Sequence, residues 1–282
     1  MRPPSAIRAI GCIAHAALER SDGAWQPLPG FGDSPYVQAG GDIIWIGTSD
    51  ALMHPRSVVL DGATRAVAGE RLRAGALVPW RPPVLSFDAR AVAALRAGCA
   101  ALHRDLMRIG APQGFAAMLA GRPPGFPLDR AAFRVRELAQ SFDDNDVEAV
   151  YDAGLPLLGL GPGLTPSGDD LVGAALFVRR SIAGSHADAK RWSDVAGRLI
   201  DAAQLRSHAI GAALFRDLAV GQSFAPLHRL AVILAAAAGQ AQAIDAARAL
   251  AAIGHSSGWD MLAGFIIGVT GAMTSAAERR IR

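Results

Sequence analysis

The residues best suited to chemistry lie in one stretch, residues 159–170, which reads Gly-Leu-Gly-Pro-Gly-Leu-Thr-Pro-Ser-Gly-Asp-Asp. Its glycines permit positive φ angles and a close approach of the backbone to a ligand. A helical pattern follows at once, so the loop presents backbone N–H groups at a helix N-terminus, where an anion is stabilised. Either Thr165 or Ser167 could cap that helix. A capped structural turn is the simpler interpretation, but a cap needs only one hydroxyl, so the surplus hydroxyls and carboxylates favour a ligand site.

A second loop repeats part of this pattern. Residues 254–260 read Gly-His-Ser-Ser-Gly-Trp-Asp, and their Ser-Gly-x-Asp matches the end of the first loop ninety positions earlier. Both copies precede apolar helical patterns, so we expect two helix N-termini to converge on one phosphate or carboxylate. The residues predicted to bind this small anionic substrate are Gly161, Gly163, Thr165, Ser167, Gly168, Ser256, Ser257 and Gly258.

Ionisable side chains in the two loops suit catalysis. His255 is the best candidate for a general acid or base, because two serines and the carboxylate of Asp260 follow it closely. A ring that is hydrogen-bonded to the backbone is the alternative role for this histidine. Asp170 and Asp260 complete the predicted catalytic set, while Asp169 and Asp170 could hold Mg²⁺ or the amide and hydroxyl groups of a ligand. His208 is a weaker catalytic candidate.

Composition excludes several classes of function. Lys190 is the only lysine, so the first loop is not a Walker P-loop and a Schiff-base mechanism is unsupported. The net charge is +3. The sequence contains no run of basic residues with interleaved aromatics, so nucleic-acid binding is not predicted. Cys12 and Cys99 have no metal-binding spacing and fit a reducing cytosol. The longest apolar run, residues 230–239, is too short to cross a bilayer, so we expect a cytoplasmic protein without a membrane segment.

The elements that must position the loops divide the sequence into two predicted domains. Residues 1–85 contain short β-branched runs between turn signals, which predicts a small antiparallel sheet or barrel. Residues 86–282 show helical periodicity and are predicted to form a larger all-α domain that carries both loops. The fold class is therefore α+β. The candidate strands are residues 7–17, 42–47, 57–60 and 76–78.

Several helices are expected in the second domain. Residues 88–108 have an apolar stripe, and residues 128–153 read as helix with a break near 143–146. A helix that starts at residue 188 runs toward residue 205. The second loop opens a last helix through residue 273.

The two loops resemble the AllH family, formerly a domain of unknown function. The family hallmark, Gly-Leu-Gly-Pro-Gly-Leu-Thr-Pro-Ser-Gly-Asp-Asp, is matched without a gap, and a later Gly-His-Ser/Thr-Ser-Gly-Trp-Asp element is matched at residues 254–260. The family tends to show Thr-x-x-Ser between these motifs, and Gln204 departs from that pattern ahead of Ser207. The resemblance is expected to extend over most of the chain.

This resemblance implies a role with AllF- and AllG-type partners in the oxamate carbamoyltransferase of anaerobic allantoin (purine) breakdown. That enzyme phosphorolyses oxalurate to oxamate and carbamoyl phosphate, which are small anions. Three interpretations stay open. The chain is a carbamoyltransferase subunit that binds such an anion, a non-catalytic scaffold or regulatory subunit that docks the partner proteins, or a stand-alone Mg-dependent hydrolase or kinase-like enzyme.

Overall fold

The structure is a computed structural model that describes residues 6–32, 34–49, 52–61, 69–271 and 273. The chain divides into two compact units. The first consists of residues 1–83 with 223–225, and the second of residues 84–222 with 226–282. The predicted domain boundaries, residues 1–85 and 86–282, stay a prediction.

A five-stranded sheet forms the centre of the first unit. Its order is β1-β5-β4-β3-β2, with antiparallel pairing except between β4 and β5, which run parallel. The predicted α+β class is confirmed, and the sheet is mixed rather than wholly antiparallel. The strands are β1 (Ile7–Ile10), β2 (Gln26–Pro27), β3 (Tyr36–Ala39), β4 (Asp42–Gly47) and β5 (Ser57–Leu60).

The candidate strand at residues 7–17 is only partly correct. Strand β1 ends at Ile10, and helix α1 (Cys12–Arg20) follows it after Gly11. The residues after Gly11 form a helix because Ala14, Ala17 and Leu18 recur at helical spacing and can be buried together on one face. Residues 76–78 form no strand either, although the neighbouring Trp80 makes an isolated bridge.

Helices make up the second unit, as predicted. The predicted break near 143–146 is present, since the Asp146 carboxyl caps a new helix by accepting from the N–H groups of Glu148 and Ala149. The helices are α2 (Ala89–Arg104), α3 (Leu106–Ile109), α4 (Ala132–Asp143), α5 (Val147–Gly154), α6 (Ser167–Ser181), α7 (His186–Arg206), α8 (Ala209–Ala219), α9 (Ala225–Ala235), α10 (Gln240–Ala251) and α11 (Ser257–Thr270). Short 3₁₀ helices span Gly114–Ala120, Leu128–Ala131 and Leu155–Leu157.

Helices α6 and α11 form the core of this unit and are buried on nearly all sides. A Cβ atom at Gly264 would lie 2.0 Å from the carbonyl oxygen of Leu171, and one at Gly268 would lie 2.4 Å from that of Ala175. The two contacts advance by one turn in the same direction on both helices. Helices α6 and α11 therefore run parallel, with their backbones close together and their N-termini at the same end.

Among the described residues, no helix has both the length and the apolar character that a membrane span requires.

Candidate functional site

The first glycine-rich loop folds back against the start of α6. Gly159 and Gly161 have φ angles of 76° and 126°, which glycine adopts without strain. A Cβ atom at Gly161 would lie 2.6 Å from the backbone nitrogen of Ser167. Gly163 also has a positive φ, but apart from its chain neighbours no atom of the described residues lies within 4 Å of the position that its Cβ would take. The loop is therefore tightly held at Gly161 and open at Gly163.

The two predicted loops meet through their hydroxyl groups. Thr165 Oγ1 lies 2.5 Å from Ser257 Oγ, and Ser167 Oγ lies 3.4 Å from Ser256 Oγ. The prediction that Thr165 or Ser167 caps α6 is wrong, because Pro166 occupies the cap position and makes no side-chain cap hydrogen bond. The hydroxyls turn instead toward the neighbouring helix, which begins beside α6.

A crossed arrangement of serines and aspartates joins the two helix starts. The Asp170 carboxyl of α6 is hydrogen-bonded by Ser257 of α11, while the Asp260 carboxyl of α11 is hydrogen-bonded by Ser167 of α6. Each carboxyl also accepts a hydrogen bond from a second hydroxyl. Asp170 accepts from Thr165, which lies just before α6, and Asp260 accepts from Ser256, which is the cap residue of α11. The repeated Ser-Gly-x-Asp sequence therefore builds a nearly symmetrical pair.

The two motif glycines support this pair structurally. A Cβ atom at Gly168 would lie 1.8 Å from Leu157 O, and one at Gly258 would lie 1.9 Å from Leu250 O. The Gly168 N–H donates to Leu160 O at 2.9 Å, and the Gly258 N–H donates to a backbone carbonyl in the same way. Both N–H groups are already engaged, so these two glycines position the helix starts and have no amide left for an anion.

One carboxyl oxygen in each aspartate lacks a partner. Asp170 Oδ2 and Asp260 Oδ2 are buried and form no hydrogen bond within the described part of the chain. Burial raises the pKa of Asp260 to about 7. Burial also raises the pKa of Asp170 well above its ordinary value, and the nearby charge of Asp260 raises it further. Buried polar atoms are nearly always satisfied, so these two oxygens are the strongest structural indication of a ligand.

A 3₁₀ helix that sequence reasoning did not connect with the site supplies a further contact. The Phe115 N–H donates to Asp260 Oδ1 at 2.6 Å. Gly114 precedes it with a φ of 55°, and a Cβ atom there would lie 2.3 Å from the same carboxyl oxygen. No local sequence signal links residues 114–115 to a motif that lies 145 positions away.

Asp169 points to a different group of residues. Its Oδ1 accepts from the Gly159 N–H at 2.7 Å, and its Oδ2 accepts from the Ser207 hydroxyl at 2.5 Å. Gly211 of α8 approaches so closely that a Cβ atom there would lie 2.8 Å from Asp169 Oδ2. Burial raises the pKa of Asp169, and the bonds from Ser207 and Gly159 oppose that effect. Asp169 therefore ties the first loop to the start of α8.

The two candidate histidines differ in the contacts that they make with the first loop. His255 is exposed and makes no hydrogen bond or ion pair with the described residues. The His208 ring contacts the first loop, with Nε2 lying 3.2 Å from Gly163 O while Nδ1 accepts from the Gly211 N–H. One sequence signal could have indicated these contacts of His208: the residue lies directly after Ser207 and before a helical pattern.

The predicted Mg²⁺ site has limited support. Across the residues that the structure describes, no group of three or more His, Cys, Asp and Glu side chains is placed to hold a metal ion. The carboxyl of Asp169 is already bonded through both oxygens, which leaves Asp170 as the free member of the predicted pair. Metal binding by Asp169 and Asp170 stays a prediction, as does the catalytic role of His255.

Residues 157–269, which contain both loops, helices α6 to α10 and all of α11 except its last residue, match the model of the AllH family, described as oxamate carbamoyltransferase subunit AllH. The match is shorter than the expected resemblance over most of the chain and includes none of the first unit's strands. Comparisons with curated proteins and with solved structures find no match. The part of the chain that builds the crossed serine–aspartate pair lies within residues 157–269 and is similar to the AllH family.

Proposed function

We propose that the paired starts of α6 and α11 bind a small anion that also carries an amide group, and that the chain acts as a subunit of an oxamate carbamoyltransferase-like enzyme. The family description supports the reaction class. Carbamoyl phosphate and oxamate fit this ligand class, because each combines a negatively charged group with an NH₂ group. Phosphate alone supplies only the anion.

The helix starts would attract the charged part of the ligand. Two parallel helices that begin side by side add the positive ends of their dipoles at one place. The open backbone at Gly163 leaves space beside the first loop, whereas the amides of Gly168 and Gly258 are occupied. We therefore assign anion binding to the first loop near Gly161 and Gly163 and to the remaining first-turn amides.

The observation that carries the proposal is the pair of unpartnered oxygens on Asp170 and Asp260. An NH₂ group has two donors, and each carboxyl offers one free acceptor. The hydroxyls of Thr165, Ser167 and Ser257 would orient the carboxyls from one side while the ligand amide bonds them from the other. This division of roles explains why two buried carboxyls lie beside a site for an anion.

Thermal-shift measurements test this site, since a ligand that binds only the native state raises its stability. The full chain would be heated with phosphate, carbamoyl phosphate and oxamate, each with and without Mg²⁺. We expect larger shifts for carbamoyl phosphate and oxamate than for phosphate. No shift from any of the three would overturn the proposal.

Two matched variants sharpen the test. Asp260→Asn replaces an acceptor by an NH₂ donor, so it should weaken binding of carbamoyl phosphate roughly tenfold or more while affecting phosphate less. Asp194→Asn is the control, because Asp194 is an exposed residue that pairs with Lys190 outside the site. Equal losses for carbamoyl phosphate and phosphate would contradict amide recognition by the carboxyl.

A docking role for the same chain has one specific observation in its favour. Leu205 is 90% exposed in the last turn of α7, directly before Arg206, whose carbonyl oxygen packs against Gly159 of the first loop. AllF- and AllG-type proteins are the partners that the family suggests. Leu205→Glu should abolish co-purification with such partners and leave ligand-induced shifts intact, whereas an unchanged complex would count against docking at Leu205.

A further inference from the structure

A polar cavity lies where α6 and α11 end. It has a volume of about 380 Å³ and is separate from the paired helix starts. Arg179 is twelve residues after Ser167 in α6, so the two places are about 18 Å apart along the helix axis. The cavity is lined by Arg96, Phe142, Asp143, Arg179, Val269 and Thr270.

Arg179 is the central residue of this cavity and is only 8% exposed. Its guanidinium lies 5.4 Å from the centre of the Phe142 ring and 4.9 Å from that of Trp192. One terminal nitrogen, Nη2, donates to the carbonyl oxygen of Phe142. The Nε–H group is buried and has no acceptor among the described residues. An unsatisfied donor on a buried cation is costly, which indicates that an acceptor is missing.

A second guanidinium increases the positive charge. Arg96 of α2 lines the same cavity. Burial lowers the pKa of Arg179 to about 10, and the charge of Arg96 contributes in the same direction. Asp143 and Asp188 act on Arg179 in the opposite direction. Arg96 itself forms no hydrogen bond or ion pair with any described residue, so none of these residues neutralises its charge directly.

We propose that this cavity is a second ligand site, for a small oxyanion with a carboxylate or phosphate group, bound by the Nε–H of Arg179 and by the guanidinium of Arg96. Such an anion supplies the missing acceptor and relieves the repulsion between the two cations. The volume is within the range of small-molecule sites, and Phe142 and Val269 are among the residues that line the cavity beside the charged groups. This site is independent of the anion proposed at the paired helix starts.

Tryptophan fluorescence distinguishes the two sites. Trp192 contacts the Arg179 guanidinium, whereas Trp259 belongs to the second loop. Inorganic phosphate and oxalate would be titrated into the full chain, into Trp192→Phe and into Trp259→Phe. We expect a saturable signal that disappears in Trp192→Phe and persists in Trp259→Phe. Absence of any signal that depends on Trp192 would overturn the proposal.

Charge variants complete the experiment. Arg96 is exposed, so Arg96→Gln should fold normally and weaken the affinity reported by Trp192 about tenfold or more. Asp260→Asn should leave that affinity unchanged, because it alters only the paired helix starts. An affinity that is unaffected by Arg96→Gln, or reduced equally by Asp260→Asn, would refute the second site. Failure of the loop site alone would leave the Trp192 signal in place.

Discussion

The hydroxyl of Thr165 lies 2.5 Å from the hydroxyl of Ser257, although the two residues are 92 positions apart in the chain. This contact places the first turn of α6 beside the first turn of α11. It also brings each serine of the repeated motif within reach of the other motif's aspartate. The site is therefore formed by the first turns of two parallel helices, which lie side by side at the same end of the helix pair.

A double-mutant cycle on Thr165→Ala and Ser257→Ala should show energetic coupling. Because the hydroxyls bond to one another, the two losses in free energy of unfolding should differ from additivity by about 1 kcal/mol. Urea unfolding of the four proteins gives this value. Ser193→Ala paired with Thr165→Ala is the control, because the Ser193 hydroxyl donates to Ala189 O within α7, away from the paired helix starts. Strict additivity for Thr165 and Ser257 would show that they do not interact in solution.

Gly264→Ala should destabilise the helical unit by about 1–3 kcal/mol, because the new methyl group would force α11 away from Leu171 O. Gly197→Ala is the matched control in α7, where no atom of the described residues outside the local helix backbone lies within 4 Å of the added Cβ. That variant should be neutral or more stable by up to about 1 kcal/mol, since alanine favours a helix over glycine. Denaturant midpoints compare the two directly, and equal effects would argue against close packing of α6 on α11.

Gly114→Ala tests the contact between the 3₁₀ helix and Asp260. Strain from the positive φ should cost about 1 kcal/mol, and displacement of the Asp260 carboxyl should add about 1–3 kcal/mol. Gly121→Ala shares the positive φ but has open space around its Cβ, so it measures the strain alone. If both variants lose the same stability, the approach of Gly114 to Asp260 is not important.

Stability should fall as the pH rises toward neutrality. Burial raises the pKa of Asp260 from 3.8 to about 7 in the folded chain, so between these values the folded state binds a proton that the unfolded state has released. Linkage then lowers the free energy of unfolding by at most about 4 kcal/mol between about pH 4 and pH 7, with a plateau above. Asp170 contributes in the same direction, since burial also raises its pKa.

Asp260→Asn removes the titrating group and should flatten this pH profile, which unfolding midpoints between pH 4 and 8 would reveal. The exposed Asp194→Asn should retain the slope of the original chain. A steeper loss of stability in Asp260→Asn than in Asp194→Asn would contradict the assigned direction.

The convergence of the loops could be predicted because Ser-Gly-x-Asp occurs twice at helix starts. The hydrogen-bond partners of the individual side chains could not be predicted. Thr165 has the residue type and position of a helix cap, but a hydroxyl bonds to whichever acceptor tertiary structure brings near, here Ser257. Asp169 and Asp170 are adjacent in sequence and point to different neighbours, since successive helical residues lie about 100° apart around the axis.

The error at α1 has a similar cause. An apolar run after β1 fits a strand or a buried helix equally well, and packing against the sheet decided for the helix. Arg179 has the sequence position of an ordinary arginine near a helix C-terminus, where a cation is favourable. Only the folded arrangement of Phe142 and Trp192 around it shows that the guanidinium is buried.

Because of the crossed serine–aspartate bonds, two stretches of the chain that are distant in sequence must come together to form the site. A chain cut at Gly221, in the turn after α8, would leave Ser167 and Asp170 on one fragment and Ser257 and Asp260 on the other. Neither fragment holds a complete hydrogen-bonded pair across the helix starts. Ligand binding would thus require reassembly of the two fragments, as activity does in a split reporter protein.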